Sequence, residues 1–182
     1  MAQKKDSREK AWSLKFQAEF MTAYEENADA LFRHCVIRVR DREVARDIVQ
    51  ETFSRTWDYL SQGKEVTYIR AFLYRVANNL IVDLSRKKRS VSLDSMMDDD
   101  GFEVRDDTTQ DPTELPAIRD ALKFLHSLDE IYRTAITMRY MDEMSPKEIA
   151  RALDVSENVV SVRIHRGIER LSVLMNKDLK AD

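Results

Sequence analysis

Apolar residues recur at helical spacing through most of the chain, with polar residues between them. Within residues 68–86, the side chains of Ile69, Leu73, Val76, Leu80 and Leu84 fall within one arc at about 100° per residue. Period-two runs typical of strands are missing, and only three Gly and three Pro occur. The pattern therefore predicts an all-α protein.

The same periodicity divides the helices into two groups. It predicts helices over residues 14–39, 68–86, 117–125, 129–141, 146–153 and 157–175, and a further helix that is capped by Asp41 and reaches Leu60. Residues 90–114 contain Gly101 and Pro112 and lack a helical period. We therefore predict two small helical domains (14–89 and 115–176), joined by a flexible acidic linker (90–114) and flanked by an N-terminal extension (1–13) and a C-terminal tail (177–182).

The charge of the chain is concentrated in this linker. The net charge is −3, but residues 94–114 hold nine acidic residues against Arg105 alone, so that stretch carries −8 and the remainder +5. Outside that stretch the chain as a whole is therefore mildly basic, and nucleic acid is an acceptable partner for it.

Several classes of site and location have little support. Cys35 stands alone and only His34, His126 and His165 accompany it, so we expect no disulfide and no metal site, with Cys35 as a small core residue. No phosphate-binding loop or nucleophile–base motif occurs, so we expect neither a cofactor nor a catalytic residue. The charged N-terminus and the missing apolar span predict a cytoplasmic protein without membrane insertion.

Residues 145–171 have the pattern of a helix-turn-helix. Ser145 and Pro146 begin one helix, and Ser156 caps the next after a three-residue turn. The small Ala150 permits a close crossing, and Asp154 takes a turn position that favours the left-handed conformation. The predicted inward residues are Ile149, Ala150, Leu153, Val155, Val160, Ile164, Ile168 and Leu171.

The outward side of the second helix has groups suited to duplex DNA. It exposes Asn158, Val159, Val162, His165, Arg166 and Glu169, with Ser161 and Arg163 at its margins. Arg166 could pair with guanine and Asn158 with adenine, and Val159 or Val162 could contact a thymine methyl. Arg163 and Arg170 at the flanks are suited to phosphate contacts. The alternative is a solvated helix face, which the two caps and the close crossing make less favoured.

The helix predicted over residues 68–86 has a second polar stripe. Arg75, Asn79 and Arg86 form it, bordered by Phe72 and Asp83 and followed by Lys87 in a basic run. Stacking groups beside a cationic track bind single strands, and amides receive extruded bases. Tyr68, Tyr74, Asn78 and Asn79 offer such groups, although composition alone slightly favours core aromatics and solvated arginines.

The helix that begins after Asp41 has a patterned outer face. It is predicted to bury Ala45, Val49, Phe53 and Leu60, and to leave outside Asp47, Gln50, Glu51, Ser54, Arg55 and Asp58. Trp57 lies at the border between the two sides, which is typical of a protein-docking surface as well as of an ordinary solvated face.

Together, residues 47–57, residues 69–83 and the helix-turn-helix resemble an extracytoplasmic-function (ECF) sigma factor of bacterial RNA polymerase, in the same order and spacing. The resemblance covers residues 20–89 as the sigma-2 domain and 115–175 as the sigma-4 domain. It implies an initiation factor that binds core polymerase and promoter DNA, with an anti-sigma protein as a further possible partner.

The resemblance also implies roles for individual residues. The residues implied to dock on the β′ clamp helices are Asp47, Gln50, Glu51, Arg55 and Trp57. The loop 61–67, which includes Lys64, is implied to hold flipped minus-10 bases together with Asn79. Contacts to the minus-35 element are implied for Ser161, Val162, Arg163, His165 and Arg166. Sigma-4 is further implied to meet the β flap, and the linker to run toward the RNA exit path.

Two other classes of protein stay open at this point. A helix-turn-helix repressor or activator would bind duplex DNA tightly without polymerase. A metal-dependent nuclease would use the clustered linker acids, which their disorder-like composition disfavours.

Overall fold

The computed structural model describes residues 2–94 and 116–178, and side chains over residues 16–87 and 121–176. The helices are α1 Ala2–Val39, α2 Arg42–Ser61, α3 Ile69–Asp94, α4 Pro116–His126, α5 Glu130–Ile136, α6 Pro146–Leu153 and α7 Glu157–Asp178, with a π-helical turn Thr137–Met141 after α5. Every element in the described ranges is helical, so the all-α fold is confirmed there.

Two helices extend beyond their predicted ends. α1 begins at Ala2 and so includes the segment predicted as an N-terminal extension. α3 continues to Asp94, into the predicted linker, whose remaining residues lie outside the described part of the chain. Once a helix is nucleated, each further residue adds a backbone hydrogen bond, so it can continue past its apolar stripe.

The N-terminal domain packs α1, α2 and α3 together. Each helix contributes a large buried side chain, namely Leu31, Phe53 and Leu73. Asp41 caps α2 as predicted, because its Oδ1 accepts a hydrogen bond from the Val44 N–H at 3.0 Å. This cap starts α2 directly after α1 and so helps to set the two helices against each other.

The buried side of α2 differs in part from the prediction. Val49 and Leu60 are only half-buried, whereas Ile48, Thr52 and Thr56 are buried. The Thr52 hydroxyl donates to the Ile48 carbonyl and the Thr56 hydroxyl to the Thr52 carbonyl, both at 2.7 Å. Since these bonds satisfy the hydroxyls, threonines that read as polar in the sequence are accommodated in the core.

Helices α6 and α7 form the predicted helix-turn-helix. The Ser145 N–H donates to Glu148 Oε2 at 2.8 Å, and the Glu148 N–H donates to Ser145 Oγ at 3.3 Å, which makes a capping box. Asp154 has φ 55° and ψ 47°, the predicted left-handed conformation. Ser156 Oγ accepts from the Val159 N–H at 3.3 Å. The capping box thus sets the start of α6, the Asp154 conformation sets its end, and the Ser156 bond sets the start of α7.

One residue of the predicted inward stripe of α7 is placed wrongly by the sequence pattern. Val160 is fully buried, but Ile168 is 39% exposed. The adjacent Gly167 is buried instead, and a Cβ added there would lie 2.6 Å from Ile136 Cδ1. Because a glycine allows α5 to approach α7 this closely, the packed side of α7 passes through Gly167.

The two domains share one apolar cluster. Met138, Met144 and Ile149 of the C-terminal domain are fully buried in the same cluster as Leu31 and Cys35 of α1. Helix α3 also lies against α6. The prediction of Cys35 as a core residue is confirmed, whereas the sequence pattern contained no sign that the domains would pack together.

We expect Asp154→Gly to raise the free energy of unfolding by about 0.5 kcal/mol, because glycine adopts the left-handed conformation without a Cβ clash. Asp154→Ala keeps the Cβ and loses the polar tip, so it should lower that free energy. Urea denaturation followed by circular dichroism measures both changes. An Asp154→Gly protein no more stable than wild type would contradict the expected relief of the Cβ clash at this turn.

Candidate nucleic-acid and polymerase interfaces

The outer side of α7 is one exposed surface, here called the α7 face. Its exposed members are Asn158, Val159, Ser161, Val162, His165 and Arg166, with Arg163 half-buried at the margin. Burial of Val160 and Gly167 on the opposite side anchors the helix. The structure thus brings the predicted duplex-reading residues together on a helix of the width that a major groove admits.

Two predicted DNA contacts have partners within their own domain. His165 Nε2 lies 3.3 Å from Glu169 Oε1 on the next turn. The Arg170 guanidinium pairs with Asp129 and lies 4.4 Å from the centre of the Tyr132 ring. Both contacts are solvent-exposed and therefore weak. Breaking either of them costs little free energy.

A second surface, the α3 face, combines helix α3 with the loop before it. Its exposed members are Lys64, Tyr68, Asn79, Asp83, Arg86 and Lys87, and its half-buried members are Phe72, Arg75 and Asn78. Arg86 Nη1 lies 4.0 Å from Asp83 Oδ1. The exposed amide of Asn79 therefore lies on a largely cationic surface.

An aromatic pair supports the loop at the start of this face. The rings of Tyr59 and Phe72 lie 4.9 Å apart, and Lys64 Nζ lies 4.8 Å from the centre of the Tyr59 ring. Sequence reasoning missed Tyr59. The available signal was its position at the end of α2, next to a loop that already contained a candidate lysine.

Tyr74 is a correction to the predicted stacking residues. It is fully buried, with its ring 5.1 Å from that of His34, and burial followed by the nearby Asp142 carboxylate raises the pKa of its hydroxyl. It cannot stack on a base because it lies on the packed side of α3. Asn78 is also engaged internally, since its Oδ1 accepts a hydrogen bond from Arg38 Nη1 at 3.2 Å.

The third surface, the α2 face, is the outer side of α2. Asp47, Gln50, Glu51 and Arg55 are exposed there, as predicted. Arg55 Nε donates to Glu51 Oε1 at 2.7 Å across one helical turn. The pair is about half exposed, so it orients the two side chains without contributing much stability.

Trp57 joins this polar face to an apolar patch of α1. Its ring packs 4.6 Å from that of Phe16 and 5.0 Å from that of Phe20, yet 36% of the residue is exposed. Met21 and Tyr24 of α1 are also exposed, at 51% and 45%. Sequence reasoning missed these two, although the four-residue spacing of Phe20 and Tyr24 indicates an aromatic side of α1.

Comparison with known proteins matches both domains. Residues 23–91 match Sigma-70 region 2, and residues 118–171 match Sigma-70 region 4. The chain is 30% identical over 166 residues to the ECF RNA polymerase sigma factor SigL of Mycobacterium tuberculosis (strain H37Rv), covering 88% of this chain and 92% of SigL. It is 26% identical over 156 residues to the ECF sigma factor SigM of Bacillus subtilis, covering 85% and 93%. The chain belongs to the ECF RNA polymerase sigma factors.

A solved sigma factor has the same fold. The sigma factor RpoE of Bartonella quintana, crystallised with the anti-sigma factor NepR, superimposes with a TM-score of 0.68. The match covers 89% of this chain and 97% of RpoE at 19% identity. At this identity the likeness shows the fold alone.

As a sigma factor, the protein binds core RNA polymerase and directs promoter-specific initiation of transcription. It is an initiation factor and not an enzyme, so the nuclease and the stand-alone repressor or activator are wrong hypotheses. The α2 and α3 faces belong to region 2, and the α7 face to region 4.

Two other kinds of feature are absent from the described part of this sigma factor. Among its side chains, no group of three or more His, Cys, Asp or Glu is placed to hold a metal ion. None of its helices combines the length and apolarity that a membrane crossing requires.

Proposed function

We propose that region 4 reads the minus-35 element as duplex through the α7 face, and that region 2 captures melted minus-10 bases with the α3 face. The α2 face then docks on the β′ clamp helices. The observation that carries this proposal is that one chain presents an exposed recognition helix and, separately, an exposed amide on a cationic helix. Promoter opening is stabilised by binding alone.

The α7 face has the side chains that a base-reading helix requires. Arg166 is suited to the O6 and N7 acceptors of guanine, and Asn158 to the N6 and N7 groups of adenine. Val162, 41% exposed, offers an apolar contact to a thymine methyl. Arg163 at the margin of the face and the exposed Arg170 are suited to phosphate contacts.

The α3 face has the groups that hold a melted strand. The Asn79 amide both donates and accepts, so it can hydrogen-bond the pairing edge of a flipped base. Arg75 and Arg86 on the same stripe supply charge for the phosphates, and Tyr68, 51% exposed, offers a stacking ring. Each captured base offsets part of the energy needed to unpair it.

The α2 face has the composition of a protein-docking surface. The exposed edge of Trp57 is surrounded by charged groups of α2 and by the apolar patch of α1. We expect region 4 to meet the β flap, and the protein to act in the cytoplasm, where core polymerase is found. An anti-sigma partner, such as NepR is for RpoE, stays a prediction for this chain.

We expect Arg166→Ala to relax discrimination at one minus-35 position by about tenfold to a hundredfold, because a bidentate contact to guanine is lost. Run-off transcription with core polymerase over a library of minus-35 variants measures this. Arg163→Ala removes the same charge from the margin of the face, and it should lower transcription from all promoters of the library by a similar factor. A uniform loss for Arg166→Ala would contradict its role in base reading.

Asn79→Ala should slow open-complex formation on duplex promoters by about tenfold, the effect of one hydrogen bond to a captured base. On a pre-melted bubble the loss should be much smaller, because the unpairing energy no longer has to be offset. Asn176→Ala, which removes an exposed amide near the end of α7, serves as the control. Equal losses on both templates would rule out base capture by Asn79.

Trp57→Ala should weaken binding to core polymerase by about tenfold or more, as expected for a central aromatic anchor. Trp57→Phe keeps a ring against Phe16 and Phe20 and should retain most of the affinity. Fluorescence anisotropy of labelled sigma factor titrated with core measures both variants, and circular dichroism checks their folding. Wild-type affinity for a folded Trp57→Ala protein would exclude docking through this residue.

A further inference from the structure

Two apolar side chains lie side by side on the otherwise polar α7 face. Val159 is 38% exposed and Val162 is 41% exposed. They are three positions apart on one helix, so their Cβ atoms lie about 5–6 Å from each other. Exposed apolar residues that stand alone are common on protein surfaces, but two neighbours within a candidate binding face form a small apolar patch. Together they are here called the valine pair.

The helix holds the valine pair in a defined position. Val160 is fully buried, so the register of α7 turns Val159 and Val162 outward. The Val159 N–H donates to the cap residue Ser156 at 3.3 Å, which fixes the first turn. Because valine has one strongly preferred side-chain rotamer in a helix, the exposed methyl groups are ordered before any ligand binds. The valine pair therefore loses little conformational entropy on binding.

The polar residue between the two valines is engaged by its own helix. The Ser161 hydroxyl donates to the Glu157 carbonyl at 3.0 Å. Since its one proton is already used, Ser161 donates to a base edge only if it gives up this bond. The N-terminal half of α7 therefore offers mainly the valine pair to a groove, with the Asn158 amide before it and the Arg166 guanidinium after it.

The size and the surroundings of the valine pair favour DNA as its partner. Apolar patches that mark protein partners are larger than a few hundred Å², and two partly exposed valine side chains fall short of that area. Arg163 and Arg166 lie on the same helix beside the pair and supply the positive charge that phosphates attract. In the major groove, the apolar group of a base edge is the C5-methyl group of thymine.

The spacing of the valine pair fits two neighbouring base pairs. The first turns of a recognition helix contact base edges, and Val159 and Val162 are the third and sixth residues of α7. Three residues of a helix rise about 4.5 Å along its axis. Neighbouring bases of one strand lie about 3.4 Å apart. Because the two distances are similar, each valine can reach a base pair of its own.

We propose that the valine pair selects two neighbouring base pairs of the minus-35 element that carry a 5-methylpyrimidine, and that the C5-methyl group is what it recognises. The inference rests on the proposed role of the α7 face and adds the joint selection by Val159 and Val162. A valine against thymine removes the methyl group from water. A valine against cytosine covers the N4 amino group without accepting its hydrogen bond. The pair thus favours thymine and disfavours cytosine at both positions.

The first measurement removes only the methyl group. Promoters carry the minus-35 element selected in the transcription library, and each thymine of either strand is replaced in turn by deoxyuridine. Uracil keeps the pairing edge and the O4 acceptor, so a loss reports the methyl group. With limiting wild-type holoenzyme, we expect deoxyuridine to lower run-off transcription about threefold to fivefold at each of two neighbouring positions. Fewer than two sensitive positions, or sensitive positions that are not neighbours, would overturn the proposal.

Alanine variants assign each sensitive position to a residue. Val162→Ala should bring the ratio of transcription from thymine and uracil templates close to one at one position, and Val159→Ala at the other, because the methyl group loses its apolar partner. Val173→Ala removes the same groups from a valine that is 53% exposed farther along α7, and it should keep both wild-type ratios. Each ratio is taken within one variant, so it does not depend on the fraction of folded protein. Wild-type ratios in both Val159→Ala and Val162→Ala would overturn the proposal.

The second measurement supplies the methyl group instead of removing it. At the two sensitive positions, cytosine or 5-methylcytosine takes the place of thymine, with guanine opposite, so the two templates differ only by the methyl group. We expect wild-type holoenzyme to transcribe the methylated template about threefold to fivefold more than the unmethylated one. Val159→Ala and Val162→Ala should transcribe both templates equally at the position that each residue reads. Equal transcription of both templates by wild type would overturn the proposal.

Failure of methyl recognition and failure of the α7 face give different results. If Arg166→Ala relaxes minus-35 discrimination as expected but uracil has no effect, the role of the valine pair is wrong and the role of the α7 face stands. If neither Arg166→Ala nor uracil changes transcription at any minus-35 position, the α7 face does not read this element, and both proposals are wrong.

Discussion

Helix α6 is the element on which both halves of the structure depend, because it packs against α7 and α3 at once. In eight residues it buries Ile149, Ala150 and Ala152. The two alanines leave room for close helix approach, and the capping box at Ser145 begins the helix at a defined residue. The same short helix therefore helps to set the position of the recognition helix and the covering of region 2.

The contact between the domains combines apolar packing with specific polar contacts. Arg70 and Arg75 donate to main-chain carbonyls, and the Arg38–Glu130 pair is open to water on the Glu130 side. Because these groups would bind water if the domains were apart, each such bond contributes only about 1 kcal/mol to holding the domains together. The apolar cluster supplies affinity, and the hydrogen bonds supply the specific arrangement.

Local features were predictable because their causes are local. Asp41 and Ser145 cap helices through bonds to residues three positions away, and Asp154 takes a conformation set by its own backbone. The exposure of the outer residues of α2 and α7 could be predicted from helical periodicity. The same periodicity failed at Ile168 and Tyr74, since a buried glycine and a second packed domain decided which side of each helix was covered.

By itself the sequence determined the helices, the capped turn and the family, because caps act over one turn and the sigma-70 regions are contiguous segments. Only the tertiary structure decided that region 4 covers part of the α3 face. The partners of His34, Arg70 and Arg75 are Asp142 and Arg151, which lie beyond the acidic segment in the other domain. No periodicity within α1 or α3 encodes a partner at that distance along the chain, so the covered surface emerges only when the domains pack.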